Sequence, residues 1–358
     1  MKISLFYLST PTCLWIVIIY VFASSQVFAV DKKNELVLLN WSEYMDPVIL
    51  EKFEKQTGVH VREIYFETDD LRNRLFQESN GKGYDLIMID GASLHNYVKI
   101  GGVNPIDKSA IPNLTHLDAK WVGLFEGTAD YAVPYFWGTI GIVYRADLVD
   151  QPLTSWMDLF QPQASIRGKI MMIRSSLDLL GMALKANGHS INSIDKSEIK
   201  LARNLLKEQK KHVKGYSYLS ATKQSAILSG EIVAAMIYNG DALVLRGHSD
   251  NVEYIMPKEG GNLWADYWAV AASSTNKEMA YQFLNFINEP ENAAQLAEYV
   301  YFATPNKAAR KHLSAEHLSD PTIYPSKEIL SRYEAYSPKS YPARIKKFRN
   351  EVYSSIVD

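Results

Sequence analysis

Residues 35–90 run ELVLLNWSEYMDPVILEKFEKQTGVHVREIYFETDDLRNRLFQESNGKGYDLIMID, and their alternation of two hydrophobic periods decides the fold. Glu35 to Leu39 is a short apolar run closed by Asn40. Asp46-Pro47 then opens a helix that turns Ile49, Leu50 and Phe53 inward and stops at Gly58. Val59 to Phe66 reads as a second strand, Thr68 as the cap of a helix carrying Leu71 and Leu75, and Asn80-Gly81 as its end. Tyr84 to Ile89 is a third strand, apolar almost throughout. Strands buried on both faces and separated by helices predict a parallel sheet joined by βαβ crossovers.

A second series begins downstream. Lys169 to Ile173 is a strand, Ser176 can cap a helix running to Asn187-Gly188, a charged amphipathic helix covers roughly 197–211, and Glu231 to Ile237 is a further strand. Between the two series, Ala132 to Val143 reads as an extended crossing segment. With 358 residues and 47% hydrophobic content, two domains are the natural expectation. The net charge of −2 on 38 basic and 40 acidic residues leaves no basic stripe for nucleic acid.

Lys2, the apolar run from Leu14 to Ala23, and small residues around Val27-Phe28-Ala29 predict a secretory signal peptide over 1–29, cleaved before Val30. A membrane anchor is the competing reading, but the run is short for a bilayer span. The one cysteine, Cys13, lies inside this segment, so the secreted chain would have no thiol for a disulfide, a nucleophile or a metal.

In open α/β sheets, ligands bind where loops leave the carboxyl ends of strands. The loops at those ends carry Asn40-Trp41-Ser42-Glu43-Tyr44, Asp90-Gly91, Ser175-Ser176 with Asp178, and Tyr238-Asn239-Gly240-Asp241; Trp264-Ala265-Asp266 repeats the pairing of aromatic and acid. Carboxylates pair with ammonium groups whose burial is otherwise expensive, and aromatic faces suit both cations and methylene chains. The expected ligand is an alkyl chain bearing positive charges. Each residue also has a plain structural reading. Glu43 and Asp178 could serve a helix N-terminus, Asp241 could cap a helix, and Trp41 and Trp264 could be core residues.

Enzymatic readings have less support. Paired carboxylates could hydrolyse a glycoside, but nothing separates an acid from a base. The chain has no Walker A sequence, no dinucleotide glycine fingerprint and no Gly-x-Ser-x-Gly elbow, and its eight histidines lack helical zinc spacing. Catalytic residues, metals and cofactors are therefore not expected.

At these same positions the chain resembles the bacterial periplasmic spermidine/putrescine-binding proteins of the two-lobed solute-binding superfamily. The likeness is carried by Asn40 to Tyr44, Tyr84-Asp85-Leu86, Val133 to Gly138, Thr154 to Leu159, Pro257 to Gly261, Trp264-Ala265-Asp266, and Thr304-Pro305-Asn306 with Ala308-Ala309-Arg310. The resemblance implies an α/β two-lobed fold, each lobe a mainly parallel sheet flanked by helices, with the ligand between lobes built from 30–139 plus 263–310 and from 140–262 plus 311–358. It implies ligand contacts from Trp41, Ser42, Glu43, Tyr44, Asp90, Asp178, Tyr238, Asp241, Trp264 and Asp266. It also implies a monomer that reports a bound polyamine to a membrane signalling receptor or delivers it to an ABC permease. The chain departs from the family's pattern at Ser175, where a carboxylate is usual, at Asp90, where serine is common, and at Ala92, where an aromatic is expected. Glu334 and Tyr336 are alternative candidates for a polar contact near the C-terminus. With five candidate acids, Glu43, Asp90, Asp178, Asp241 and Asp266, a triamine such as norspermidine suits the charge better than a diamine, which would leave acids unpaired.

Overall fold

The computed structural model describes residues 34–337 and 341–357; the expected signal peptide over 1–29, with Cys13, lies outside the described residues. Among the described residues nine strands form a mixed sheet: β1 (Glu35–Trp41), β2 (His60–Phe66), β3 (Leu86–Asp90), β4 (Ala132–Arg145), β5 (Ile170–Met172), β6 (Val213–Tyr216), β7 (Ala234–Tyr238), β8 (Val252–Ile255) and β9 (Leu263–Val270). Their order is β2-β1-β3-β9-β4-β7-β5-β6, with β8 also paired to β4. The crossover units pair in parallel, β1 with β2 and β3, and β5 with β6 and β7. Strand β9 enters antiparallel between β3 and β4.

The helices begin and end where the local chemistry dictates. Asp46 caps Pro47–Thr57 by accepting from the Val48 N–H, and Gly58 ends it in the left-handed region (φ 71°), which only glycine adopts freely. Thr68 caps Asp69–Ser79. The helix expected from Ser176 is Ser176–Ala186, and its cap is Ser175, one residue earlier, whose hydroxyl accepts from the Asp178 N–H.

Strand β4 carries the change from one half of the sheet to the other. Residues up to Thr139 pair with β9, and from Ile140 onward with β7 and β8. Burial divides at the same place. One apolar core contains Leu36, Ile49, Phe53, Leu86, Trp268 and Phe283, and reaches along the chain to Leu313, Ile323 and Tyr333. A second contains Ile140, Trp156, Leu179, Leu206, Met236 and Val352. A third, on the other face of β4 and β7, contains Val143, Ile227, Ile237 and Val252.

Candidate functional site

A cavity of about 620 Å³ opens between the first and second cores, and all ten residues expected at the site line it. They reach it from separate strands, because the sheet brings strand ends from both halves to one edge. Glu43 takes a left-handed backbone conformation (φ 56°), uncommon for a residue with a Cβ, and this turns the chain sharply after β1. The turn presents Trp41, Ser42, Glu43 and Tyr44 to the cavity. Glu43 is not a first-turn acid, since the next helix begins at Pro47 and is capped by Asp46.

Tyr44 is buried, and its hydroxyl donates to Asp266 Oδ2 at 3.0 Å. The Tyr135 hydroxyl in turn donates to the Tyr44 carbonyl at 3.1 Å. Asp266 is 8% exposed and stands directly opposite Asp90 in the antiparallel register of β3 and β9. Burial first, and then the Asp90 charge, push its pKa up to about 7. Asp241 does not cap its helix, whose N-cap is Tyr238. Its enclosed position, with the Glu43 charge nearby, pushes its pKa up to about 7.

Asp178 accepts from the Tyr238 hydroxyl and from Asn262 Nδ2, each at 3.2 Å. Burial raises its pKa, against hydrogen bonds that include those from Ser175, Tyr238 and Asn262. Asp90 caps the helix Gly91–Lys99 through Oδ1, and its Oδ2 receives Arg72 Nη2 at 2.9 Å. This acid therefore already holds a cation supplied by the protein.

The aromatic residues form walls. Trp41 packs on Phe66 with ring centroids 4.4 Å apart, and Trp264 meets Phe302 edge-on at 4.9 Å and Tyr238 at 5.8 Å. Tyr238 stacks on Tyr218 at 6.3 Å, and Tyr218 reaches the edge of Trp41 at 6.5 Å.

Of the two C-terminal candidates, Tyr336 lines the cavity. Glu334 instead pairs with Lys185 at 2.5 Å and accepts from the Ser190 hydroxyl. Sequence reasoning missed Asp69, the stretch 217–222 and Phe302, all of which line the cavity. Asp69 follows β2, so the strand-end rule applied at that strand would have found it. The stretch 217–222 follows β6, whose residues Val-Lys-Gly-Tyr carry no apolar run to mark a strand.

Acids thus outnumber cations around a cavity walled by aromatic rings. Asp178, Asp241 and Asp266 have no cation in contact among the described residues, whereas buried carboxylates normally require one. Such a site is suited to an elongated cation with apolar segments. No group of three or more His, Cys, Asp or Glu among the described residues could hold a metal ion, and no described helix is long and apolar enough to cross a membrane.

Residues 49–324 match the family model described as bacterial extracellular solute-binding protein. The chain is 35% identical over 306 residues to the spermidine/putrescine-binding periplasmic protein of Escherichia coli, covering 85% of this chain and 87% of that protein. It is 31% identical over 326 residues to the norspermidine sensor of Vibrio cholerae, covering 90% and 88%. The solved structure of a spermidine/putrescine ABC transporter substrate-binding protein from Streptococcus pneumoniae superposes with a TM-score of 0.78 at 26% identity, covering 90% of this chain and 98% of that one.

Proposed function

The chain belongs to the bacterial extracellular solute-binding protein family, among the spermidine/putrescine-binding periplasmic proteins, whose members bind without turnover, and from that premise we propose that it binds a triamine in the periplasm. The observation that carries the reading is the set of enclosed carboxylates without a protein cation, Asp178, Asp241 and Asp266, in one aromatic-walled cavity. Three or more acids, with Glu43 at the rim, leave charge over when a diamine binds and are better matched by three ammonium groups.

In this proposal the cores are lobes: of the expected division into 30–139 plus 263–310 and 140–262 plus 311–358, the stretch with Leu313, Ile323 and Tyr333 packs on the first core, and Tyr336, Ile345 and Val352 pack on the second. The lobes close around the ligand by bending where β4 passes from one to the other. A ligand that touches both lobes binds the closed form better and so shifts the equilibrium toward it. The closed face is read, in this proposal, by a membrane signalling receptor, as suits the likeness to the Vibrio cholerae norspermidine sensor. Delivery to an ABC permease is the second reading, favoured by the likeness to the Streptococcus pneumoniae transporter component. The secreted chain, cleaved near Ala29, acts as a monomer.

Calorimetry of the purified protein against polyamines, amino acids and sugars tests the ligand class. Binding of a triamine is expected, and tight binding of a sugar or amino acid without a polyamine signal would overturn the reading. Deleting the gene separates the two roles: normal polyamine uptake with lost polyamine-dependent regulation supports sensing, and lost uptake supports transport.

A further inference from the structure

Resting on the polyamine reading and deepening it, we infer that Asp69 contacts the ligand, forming with Asp178 an ammonium station that joins the two halves of the protein, and that Arg72 positions Asp69 for this role. Asp69 opens the helix Asp69–Ser79, where an acid ordinarily serves the helix dipole. That need is met without it. The Thr68 hydroxyl accepts from the Leu71 N–H at 3.1 Å, and the exposed Asp70 supplies a second acid in the same turn.

Asp69 instead lines the cavity, half-buried. Its Oδ1 lies 2.8 Å from Arg72 Nη1, yet the contact is misaligned and both atoms are buried without completing a hydrogen bond. Arg72 cannot turn to improve it. The guanidinium is fully buried, with Nη2 held by Asp90 at 2.9 Å, Nε by the Tyr97 hydroxyl at 3.3 Å, and the Phe66 and Tyr97 rings 5.6 and 5.7 Å from Cζ. Burial pushes the pKa of Asp69 up to about 7, so one fixed cation between two aspartates leaves a net charge of −1 when both acids are ionised, as beside an ammonium group, and that charge is carried on the acid that faces the cavity.

Across the cavity stands Asp178, held by Tyr238 and Asn262 and without a cation. Tyr218 lines the same cavity as both acids and stacks on Tyr238; burial first, and then the charges of Asp69 and Asp178, push up the pKa of its hydroxyl. Two carboxylates and two tyrosine rings thus line one cavity within electrostatic reach of one another. An ammonium group has three donors and attracts aromatic faces, so it suits the space between them. Without a cation the two acids repel across the cleft, and with one they draw the halves together. The station therefore makes closure depend on a positive charge at this end of the ligand, and a diamine occupying the region of Asp241 and Asp266 would leave it empty.

Calorimetry of wild type, Asp69→Asn, Asp69→Glu and Asp70→Asn with norspermidine and putrescine tests the inference. Asp69→Asn should weaken norspermidine binding by about tenfold or more, the range for a charge-assisted contact, while changing putrescine binding by less than about threefold. Asp69→Glu should recover most of the norspermidine affinity, and Asp70→Asn should match wild type. Thermal melting at or above the wild-type midpoint for unliganded Asp69→Asn would show that the fold is intact and the repulsion relieved. Unchanged norspermidine affinity in Asp69→Asn, or equal losses for both amines, would overturn the station while leaving the polyamine reading in place. A wild-type protein that binds neither amine would overturn the polyamine reading itself.

Discussion

Through Asp266 and Asp241 alone, lowering the pH from 7 to 6 should weaken polyamine binding by roughly 30-fold, and raising it from 7 to 8 should strengthen binding by roughly threefold. Asp266 and Asp241 both have pKa values pushed up to about 7, chiefly by burial. Each is therefore about half protonated at pH 7, and about a tenth remains ionised at pH 6. Ligand ammonium groups, with pKa values near that of lysine at about 10, stay charged throughout and require the ionised acids. Two groups ionising independently multiply their effects, which gives the stated factors. Binding at pH 7 should release about one proton from these two acids, because each half-protonated acid becomes fully ionised beside its ammonium partner, and about half a proton more where Asp69, also pushed up to about 7 by burial, meets a third ammonium group. Calorimetry at pH 6, 7 and 8, in two buffers of different ionisation enthalpy, measures both the affinity and the proton count. Proton uptake, or an affinity flat across this range, would refute the reasoning, since it would mean that neither acid meets the cation. Stability without ligand follows the same linkage. The folded pKa of each acid lies above the ordinary value of 3.8, so between about 4 and 7 the folded chain holds more protons than the unfolded one. The unliganded protein should therefore lose stability as pH rises through that window, and the ligand should restore it.

Asp266→Asn should weaken triamine binding by about tenfold or more without unfolding the protein, because a charge-assisted contact is lost while the amide oxygen still accepts from Tyr44; calorimetry and thermal melting of the variant check both halves. Gly138→Ala should cost about 1–3 kcal/mol and weaken binding as well. The added Cβ would lie 2.2 Å from Asn239 Oδ1, which accepts from the Thr139 N–H, and 2.6 Å from the Trp264 ring, so both the crossing strand and the aromatic wall must shift. An unchanged denaturation midpoint would show that this junction yields freely.

The elements that could be read from sequence are those whose signal is local. The helix from Pro47 to Thr57 announces itself through Asp46-Pro47 and Gly58, and β3 through its apolar run. All ten expected site residues line the cavity; eight lie at carboxyl ends of strands, which the alternation of strand and helix already implies, whereas Trp264 and Asp266 lie inside β9 and are marked by their pairing of aromatic and acid. What escaped depends on which side of an element faces inward. Arg72 lies on a helix with acids at 69 and 70, a pattern that normally marks a solvated face, yet it is fully buried because Phe66 and Tyr97 close over it. Likewise, no period in the sequence predicts that 217–222 folds over the cavity beside Trp41.

That buried arginine changes how the acids should be counted. Taken from sequence, Asp90 adds a negative charge to the candidate acids, and so argues for another ammonium group on the ligand. In the folded protein Asp90 is bound by Arg72, and its charge is matched before any ligand arrives. Asp69 shares the same guanidinium but opens to the cavity, so one uncompensated charge remains at this end, displaced from Asp90 toward Asp178. The number of ammonium groups favoured on the proposed reading is thus unchanged, while the position of one has moved across the cleft. This displacement bears on nitrogen spacing more than on total charge. Competition among spermidine, norspermidine and putrescine therefore measures the geometry of the acids as well as their number, and a preference for putrescine would mean that the Asp69–Asp178 position takes no part in binding.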